Sequence, residues 1–322
     1  MVARRKTRRR VHASRVVATK KTNGAAVIDA RQLGTKGVVV YGLGAGDSEL
    51  HLDVLDEPAA AVTTLQREVE WATMAHRGGV VPRLISVQAD DATYRVPVYR
   101  HPADAQPETR PFHPIVRAAA AAARDALGVT FNHCLAQWYR GGADYISEHA
   151  DKTLDVRRGS PVANLSLGAT RVMTLRAKRS DGPRGEARVA QKIVLPHNSL
   201  FVLGSRTNRE FTHAVARDGR RDQEKRPDER RDGGHRISLT FRDVATFHRD
   251  GHLEGQGAPD ARCPSTTSSR ATDLDAMLKA FSAENRQSDF DWDAHYGRGF
   301  ATLGFDVLPP AALAPSHAPS LH

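Results

Sequence analysis

In the stretch "YISEHADKT", His149 and Asp151 stand two residues apart, just after the turn-like "RGGAD". On an extended segment, residues i and i+2 share a face. One imidazole and one carboxylate can therefore aim at a common point. A third donor would complete a set of two histidines and one carboxylate, which holds iron(II) and leaves open positions for a second ligand and oxygen. Taken alone, His-x-Asp is a weak signal in a chain with 15 histidines, and His51 with Asp53 repeats it. The candidate third donor is His213 in "REFTHAV", which is strand-like and also suits a partly buried core histidine.

A second constellation lies in "RISLTFR", Arg236 to Arg242. Ile237, Leu239 and Phe241 alternate with Arg236, Ser238, Thr240 and Arg242, so one face is apolar and the other has an arginine at each end. On a strand the two arginine Cα atoms are ~20 Å apart. With side chains reaching inward, two guanidiniums can grip the ends of one short dicarboxylate through paired hydrogen bonds. Strand-end salt bridges would use the same residues.

These residues need elements to hold them. "GVVVYGL" and "ELHLDVL" read as strands joined by "GLGAGD", which fails the dinucleotide fingerprint at Asp47 and reads as a turn. Pro58 to His76 has Leu65, Val69 and Ala72 on one helical stripe and stops at Gly78-Gly79. Pro114 to Leu127 is an alanine-rich helix capped by Gly128. From Phe131 the pattern changes to short strands: "FNHCLAQWY", "SPVANLSLGATRVMTLRAK", "KIVLPHNSLFVLG" and "RISLTFRDVATF". The class expected is α+β, a β-sandwich or jelly roll with flanking N-terminal helices. "RDGRRDQEKRPDERRDGG", Arg217 to Gly234, reads as a nearly neutral solvated loop with seven basic and six acidic residues. A linker is expected over 251–271, with Ser and Thr concentrated at Arg262 to Ser269. After it come a docking helix with Leu274, Met277, Leu278 and Phe281 at helical spacing, and a frayed Pro/Ala/Ser-rich end. The organisation expected is thus a tail over 1–24, a domain over 25–250, the linker, and a C-terminal helix and tail over 272–322.

The net charge of +10 is mostly a property of the tail: Met1 to Lys21 holds nine Lys/Arg and no acid, which leaves the rest near +1. "ARRKTRRRVHASR" suits a nuclear address, a nucleic-acid arm, an Arg-rich mitochondrial transit peptide or a plain solvated tail. Two cysteines, Cys134 and Cys263, exclude a disulfide framework and a Cys-rich zinc site, and fit a reducing, intracellular compartment. No apolar run approaches the ~20 residues of a membrane span, and no apolar signal core marks the N-terminus.

Read in order, Val54 to Phe247 resembles the AlkB family of iron(II)/2-oxoglutarate dioxygenases, nearest its nucleic-acid dealkylating branch. The motifs that carry the resemblance are "LQREVEW", "VPR" at Val81 to Arg83, "TFNHCLAQWY", H-x-D, "GSPVANLSLGATR", "HNSLFVLGSRTNREFTHAV" and R-x-S-x-T-F-R. It implies a double-stranded β-helix, a jelly roll whose mouth holds the metal. His149, Asp151 and His213 would be the iron ligands. Arg236 would bind the far carboxylate of 2-oxoglutarate, Arg242 would lie near the metal-proximal carboxylate and Asp151, and Tyr139 would help hold the cosubstrate. Gln137 and Ser238 stand where the family often has asparagine, and both can still hydrogen-bond. Lys152 and Thr153 follow Asp151 where repair members tend to carry base-reading acids, which opens the question of substrate. The chemistry implied is decarboxylation of 2-oxoglutarate coupled to C–H hydroxylation, with formaldehyde lost from an N-methyl group.

The substrate implied is DNA or RNA with an alkylated base. Arg83, Lys152 and the Arg217–Arg231 loop are candidates near phosphate or base, and Tyr94 or Tyr99 could stack on a base. Two other readings stand beside it: a dioxygenase acting on a protein or small molecule, and a nucleic-acid-binding module without turnover.

Overall fold

Period-two alternation after residue 130 becomes two facing sheets in the computed structural model, which describes residues 20–22, 25–33, 38–56, 58–76, 78–179, 188–259 and 270–313. The larger sheet has eight strands in the order Arg110–Pro111, Leu84–Ala89, His133–Tyr139, Arg236–Arg242, Val162–Gly168, Ser199–Leu203, Ser48–Leu52 and Val39–Leu43. The smaller has six: Lys20–Thr22, Ala25–Ile28, Ala190–Leu195, Arg171–Ala177, Phe211–Val215 and Ile146–His149. Leu50, Phe201 and Leu203 of the larger sheet pack against Met173, Ile193 and Val215 of the smaller. That inner layer is the jelly-roll core, and burying it is the main force that holds the sheets together.

The outer face of the larger sheet is covered by two helices. Leu65 of Ala61–Glu68 and Val116, Ala119 and Ala123 of Pro114–Leu127 pack on Ile237, Leu239 and Phe241 and on Ala163, Leu165 and Leu167. The second helix has the expected bounds. Pro114 opens it where no N–H is needed, the His113 side chain accepts from the Ile115 N–H, and Gly128 closes it at φ 71. The "GLGAGD" turn is a hairpin: Gly44 sits at φ 61, where a Cβ would lie 2.3 Å from Thr207 Cγ2.

Four expectations change. The helix over Pro58 to His76 covers only Ala61–Glu68, because Val69 is extended (ψ 135). Beyond it the Trp71 indole N–H returns to Leu65 O at 3.0 Å and Ala72 bridges to Ile85. Packing of Trp71 on Trp138, with ring centroids 5.6 Å apart, wins over continued helix. The tail read over 1–24 contains a strand, Lys20–Thr22, paired antiparallel with Ala25–Ile28. Residues 1–19, 23 and 24 lie outside the described residues. The linker read over 251–271 begins with His252–Gly255, a strand paired with Thr246–Arg249, while Arg262 to Ser269 lies outside the described residues. The loop over Arg217 to Gly234 contains 3-10 turns at Asp222–Glu224 and Asp228–Gly234. Many of its ions pair with one another, as in Arg220 with Asp218 and Glu229 and Lys225 with Asp222, and Asp228 also pairs with Arg31 outside the loop.

The helix Arg270–Arg286 docks through Met277 and Phe281, packed with Leu154, Phe290, Tyr296 and Phe300. A buried ion pair, Arg100 with Asp155 at 2.7 Å, ties in the following segment, since Arg100 also donates to the carbonyls of Phe300 and Thr302. Among the described residues no helix is long and apolar enough to cross a membrane.

Candidate active site

Strand register brings the two histidines together. His149 ends the edge strand of the smaller sheet and pairs directly opposite His213 in Phe211–Val215. Their ring centroids are 4.2 Å apart. The chain leaves the strand after His149 and turns Asp151 back, so that its Oδ1 lies 3.8 Å from His149 Nε2 and 4.0 Å from His213 Nε2. Within this trio one ligand atom from each residue lies within 4.8 Å of the others. Atoms bonded to one ion at ~2.1 Å stand roughly 3–4 Å apart, so this spacing admits a metal.

The protonation states suit ligation. His149 Nδ1 lies 2.7 Å from Ser147 O. A carbonyl only accepts, so the proton sits on Nδ1 and the Nε2 lone pair faces Asp151. Burial, with help from His213, lowers the His149 pKa to about 3, and burial lowers His213 too. Burial alone would raise Asp151, but Arg242, His213 and His149 hold it below the usual carboxylate range. Near neutral pH the set is two neutral imidazoles and one carboxylate, which is what metal binding requires.

A cavity of about 480 Å³ opens between the sheets at this point. Its wall carries the inward residues of the central strands: Leu135, Gln137 and Tyr139, then Arg236, Ser238, Thr240 and Arg242. Register places Tyr139 opposite Arg236 and Gln137 opposite Ser238. Arg236 is 1% exposed, and its Nη2 donates to Ser166 Oγ at 2.7 Å and Asn164 Oδ1 at 3.3 Å. Its Nε and Nη1 are buried with no partner. Burial lowers the Arg236 pKa to about 10, the mark of a desolvated cation without an anion. A buried charge of this kind is costly until it is paired, so the site fits a carboxylate here. At the other end of the strand, Arg242 Nη2 donates to Asp151 Oδ2 at 2.9 Å, while its Nε and Nη1 also lack partners.

Gln137 and Ser238 lie on the same wall but are engaged within the protein. Gln137 Oε1 accepts from Arg83 Nε at 2.6 Å, and Ser238 Oγ accepts from Asn164 Nδ2 at 2.6 Å. Arg83 lines the cavity and also donates to Tyr145 O at 3.0 Å. Tyr99 lines it too, with its ring packed against the Arg242 guanidinium at 3.9 Å; at 6% exposure it offers no open face to a base. The Lys152 ammonium is turned into the protein, onto Ala150 O and the Asn285 side chain. Tyr94 is 66% exposed and stands apart from the cavity wall. Of the stacking and phosphate candidates, the structure therefore brings Arg83, Tyr99 and Lys152 to the site and leaves Tyr94 outside it.

Some residues at the site escape the sequence reading. Asn164 and Ser166 alternate with Leu165 and Leu167 in "VANLSLG", a polar inward face visible in the period-two pattern. Asn208, which accepts the Asp151 N–H at 2.9 Å and returns Nδ2 to Asp151 O at 2.9 Å, has no such signal.

Comparison with known proteins places this geometry in a family. A family model described as the 2OG-Fe(II) oxygenase superfamily matches residues 55–242, more than half of the chain. DNA oxidative demethylase ALKBH2 of Homo sapiens is 30% identical over 183 residues, which cover 56% of this chain and 66% of that protein. The mouse ALKBH2 is 31% identical over 136 residues, covering 42% of this chain and 52% of its own length. The human alpha-ketoglutarate-dependent dioxygenase alkB homolog 3 is 28% identical over 135 residues, or 41% of this chain and 43% of that protein. The chain thus spans between about two fifths and two thirds of the length of these relatives. With the matched span covering both sheets' central strands and all three converging candidate ligands, the chain belongs to the 2OG-Fe(II) oxygenase superfamily, in its AlkB-like group.

Proposed function

We propose that this protein is an Fe(II)/2-oxoglutarate-dependent dioxygenase that oxidatively dealkylates N-alkylated bases in DNA or RNA. The observation that carries the reading is the convergence of His149, Asp151 and His213 on the wall of a cavity that also holds the unpaired donors of Arg236. Iron and 2-oxoglutarate, when bound, would supply oxidation by dioxygen, with one oxygen atom going to succinate as 2-oxoglutarate loses carbon dioxide and the other to the alkyl C–H bond; the protein supplies binding, orientation and protonation state. His149, Asp151 and His213 hold the metal. Arg236, backed by Asn164 and Ser166, takes the remote carboxylate of 2-oxoglutarate, and Tyr139 shapes the same end. Arg242 pairs with Asp151 and keeps that carboxylate ionised and oriented beside the metal-proximal end.

The substrate class rests on the relatives' names and on the basic N-terminal segment. With it goes a location inside the cell, in the nucleus of a eukaryote. Arg83, on the cavity wall, is a candidate cation for a phosphate, although it already donates to Gln137 and Tyr145. The decisive experiment is a mass-spectrometric screen of methylated oligonucleotides, single- and double-stranded, DNA and RNA, with iron and 2-oxoglutarate. Loss of 14 Da per methyl group with matching succinate and formaldehyde is expected (~14 Da is the mass of CH₂, the net group removed). Succinate formation without any change in the oligonucleotides would point to a protein or small-molecule substrate, and no succinate at all to a binding module. Asp151→Ala should remove most of the iron and abolish succinate formation; normal turnover by that variant would show the ligand set to be misassigned.

A further inference from the structure

The family match ends at residue 242, yet the helix Arg270–Arg286 reaches back to the metal-binding turn. Asn285, next to last in that helix, accepts with Oδ1 from the backbone N–H of Ala150 at 3.0 Å and from the Lys152 ammonium. Ala150 is the residue between His149 and Asp151. Both partners are donors, so the amide oxygen must face them. The next peptide N–H, that of Asp151, is accepted by Asn208. Two asparagines from separate elements therefore hold consecutive peptide groups of the turn.

The neighbouring contacts fix Asn285 in turn. Lys152 Nζ also donates to Ala150 O at 2.8 Å. Glu284 accepts from the Thr153 N–H at 3.1 Å and from the Thr153 hydroxyl, while its other oxygen accepts from the Tyr296 hydroxyl at 2.6 Å. Lys178 donates to the Glu284 carbonyl at 2.5 Å. The last turn of the helix thus meets two ammonium groups, Lys178 at a backbone carbonyl and Lys152 at the Asn285 side chain, the sign its dipole favours. Lys152, Lys178 and Glu284 are 2%, 5% and 3% exposed, so the charges are shielded from solvent and depend on one another.

We propose that Asn285 is a positioning residue of the metal centre: by accepting from Ala150 and Lys152 it holds the His149–Asp151 turn in ligating geometry, and so makes the C-terminal helix part of the active site. This rests on His149, Asp151 and His213 being the ligands. Groups that orient ligands in this way typically contribute about 10–100-fold to metal affinity.

The test uses the full chain and Mn(II) as a redox-inert probe, with free metal counted by electron paramagnetic resonance and the fold of the metal-free protein checked by circular dichroism. Asn285→Leu removes the acceptor and should weaken Mn(II) binding about 10–100-fold. Asn285→Asp keeps an oxygen facing the same two donors and should restore wild-type affinity, a rescue that a purely packing role would not produce. Wild-type affinity in Asn285→Leu, or equal weakness in both variants, overturns the proposal. Should Asn285→Leu fail to fold, Asn285→Ala replaces it with the same expected and overturning results. Asp151→Ala separates the two ideas. If it binds Mn(II) as tightly as wild type, the ligand reading falls and the proposal with it; if it loses the metal while Asn285→Leu does not, only the role of Asn285 falls.

Discussion

Arg236 and Arg242 begin and end one strand, and both guanidiniums are buried. Their surroundings differ. Arg236 has only neutral oxygens at its Nη2, from Ser166 and Asn164, and two donors without partners. Arg242 already has an anion, Asp151, at 2.9 Å. The two should therefore fail differently when replaced by lysine, which keeps the charge but loses the planar fork. Arg236→Lys should raise the KM for 2-oxoglutarate roughly 10–100-fold, the worth of a hydrogen bond to a charged group, with iron retained. Arg242→Lys should loosen Asp151, lower iron retention and raise the ratio of succinate to formaldehyde. Steady-state titration of 2-oxoglutarate with both products counted separately distinguishes them; two identical profiles would remove the division of roles.

At the scale of elements, the strand Arg236–Arg242 keeps its two jobs on two faces. Leu239 is fully buried on the outer face, in the cluster with the two helices, while Ser238 and Thr240 face the cavity. Leu239→Ala should cost about 2–5 kcal/mol by urea unfolding, yet leave the KM for 2-oxoglutarate unchanged. A large KM change at unchanged stability would mean the faces are coupled. This two-faced pattern was legible in the sequence because side chains alternate strictly between the two faces of a strand, and the helix Pro114–Leu127 was legible because proline and glycine mark its ends. The helix expected from Pro58 is too long because Val69 and Ala72 fit a helical stripe as well as they fit extended backbone; the choice is made by Trp138 and Ile85, the tertiary partners of Trp71 and Ala72. The same limit hid Asn208 and Asn285. Each matters through a partner more than 50 residues away in sequence, at separations of 57 and 135, and neither has a pattern of its own.

Across the whole molecule, the metal trio joins the smaller sheet to the larger through Asp151 and Arg242, and the C-terminal helix to both. Metal binding should therefore stabilise the entire fold. At about 100 times its Kd, Mn(II) should add about 2.7 kcal/mol, roughly 5–10 °C in melting temperature for a domain of this size. A chelator should reverse the shift, and Asp151→Ala should not show it.

The N-terminal boundary also acts at the scale of the molecule. Bulk charge marks the N-terminal segment as basic but does not say where a tail would end, because strand pairing at Lys20–Thr22 is a backbone property that composition does not carry. Residues 1–19 hold seven Lys/Arg and 1–24 hold nine. If the segment binds phosphate, deleting 1–19 should flatten the salt dependence of oligonucleotide binding. The slope of log K against log salt should fall by about 0.7–0.9 for each phosphate no longer neutralised. Melting temperature should stay at the wild-type value, since Lys20–Thr22 still pairs with Ala25–Ile28. Deleting 1–24 should flatten the slope further and also lower the melting temperature, because it strips a strand from the edge of the smaller sheet. Fluorescence anisotropy across a salt series, paired with thermal melts of both truncations, separates these outcomes. Unchanged slopes in both would remove the segment from nucleic-acid binding, and equal melting temperatures in both would show that the first strand adds nothing to the fold.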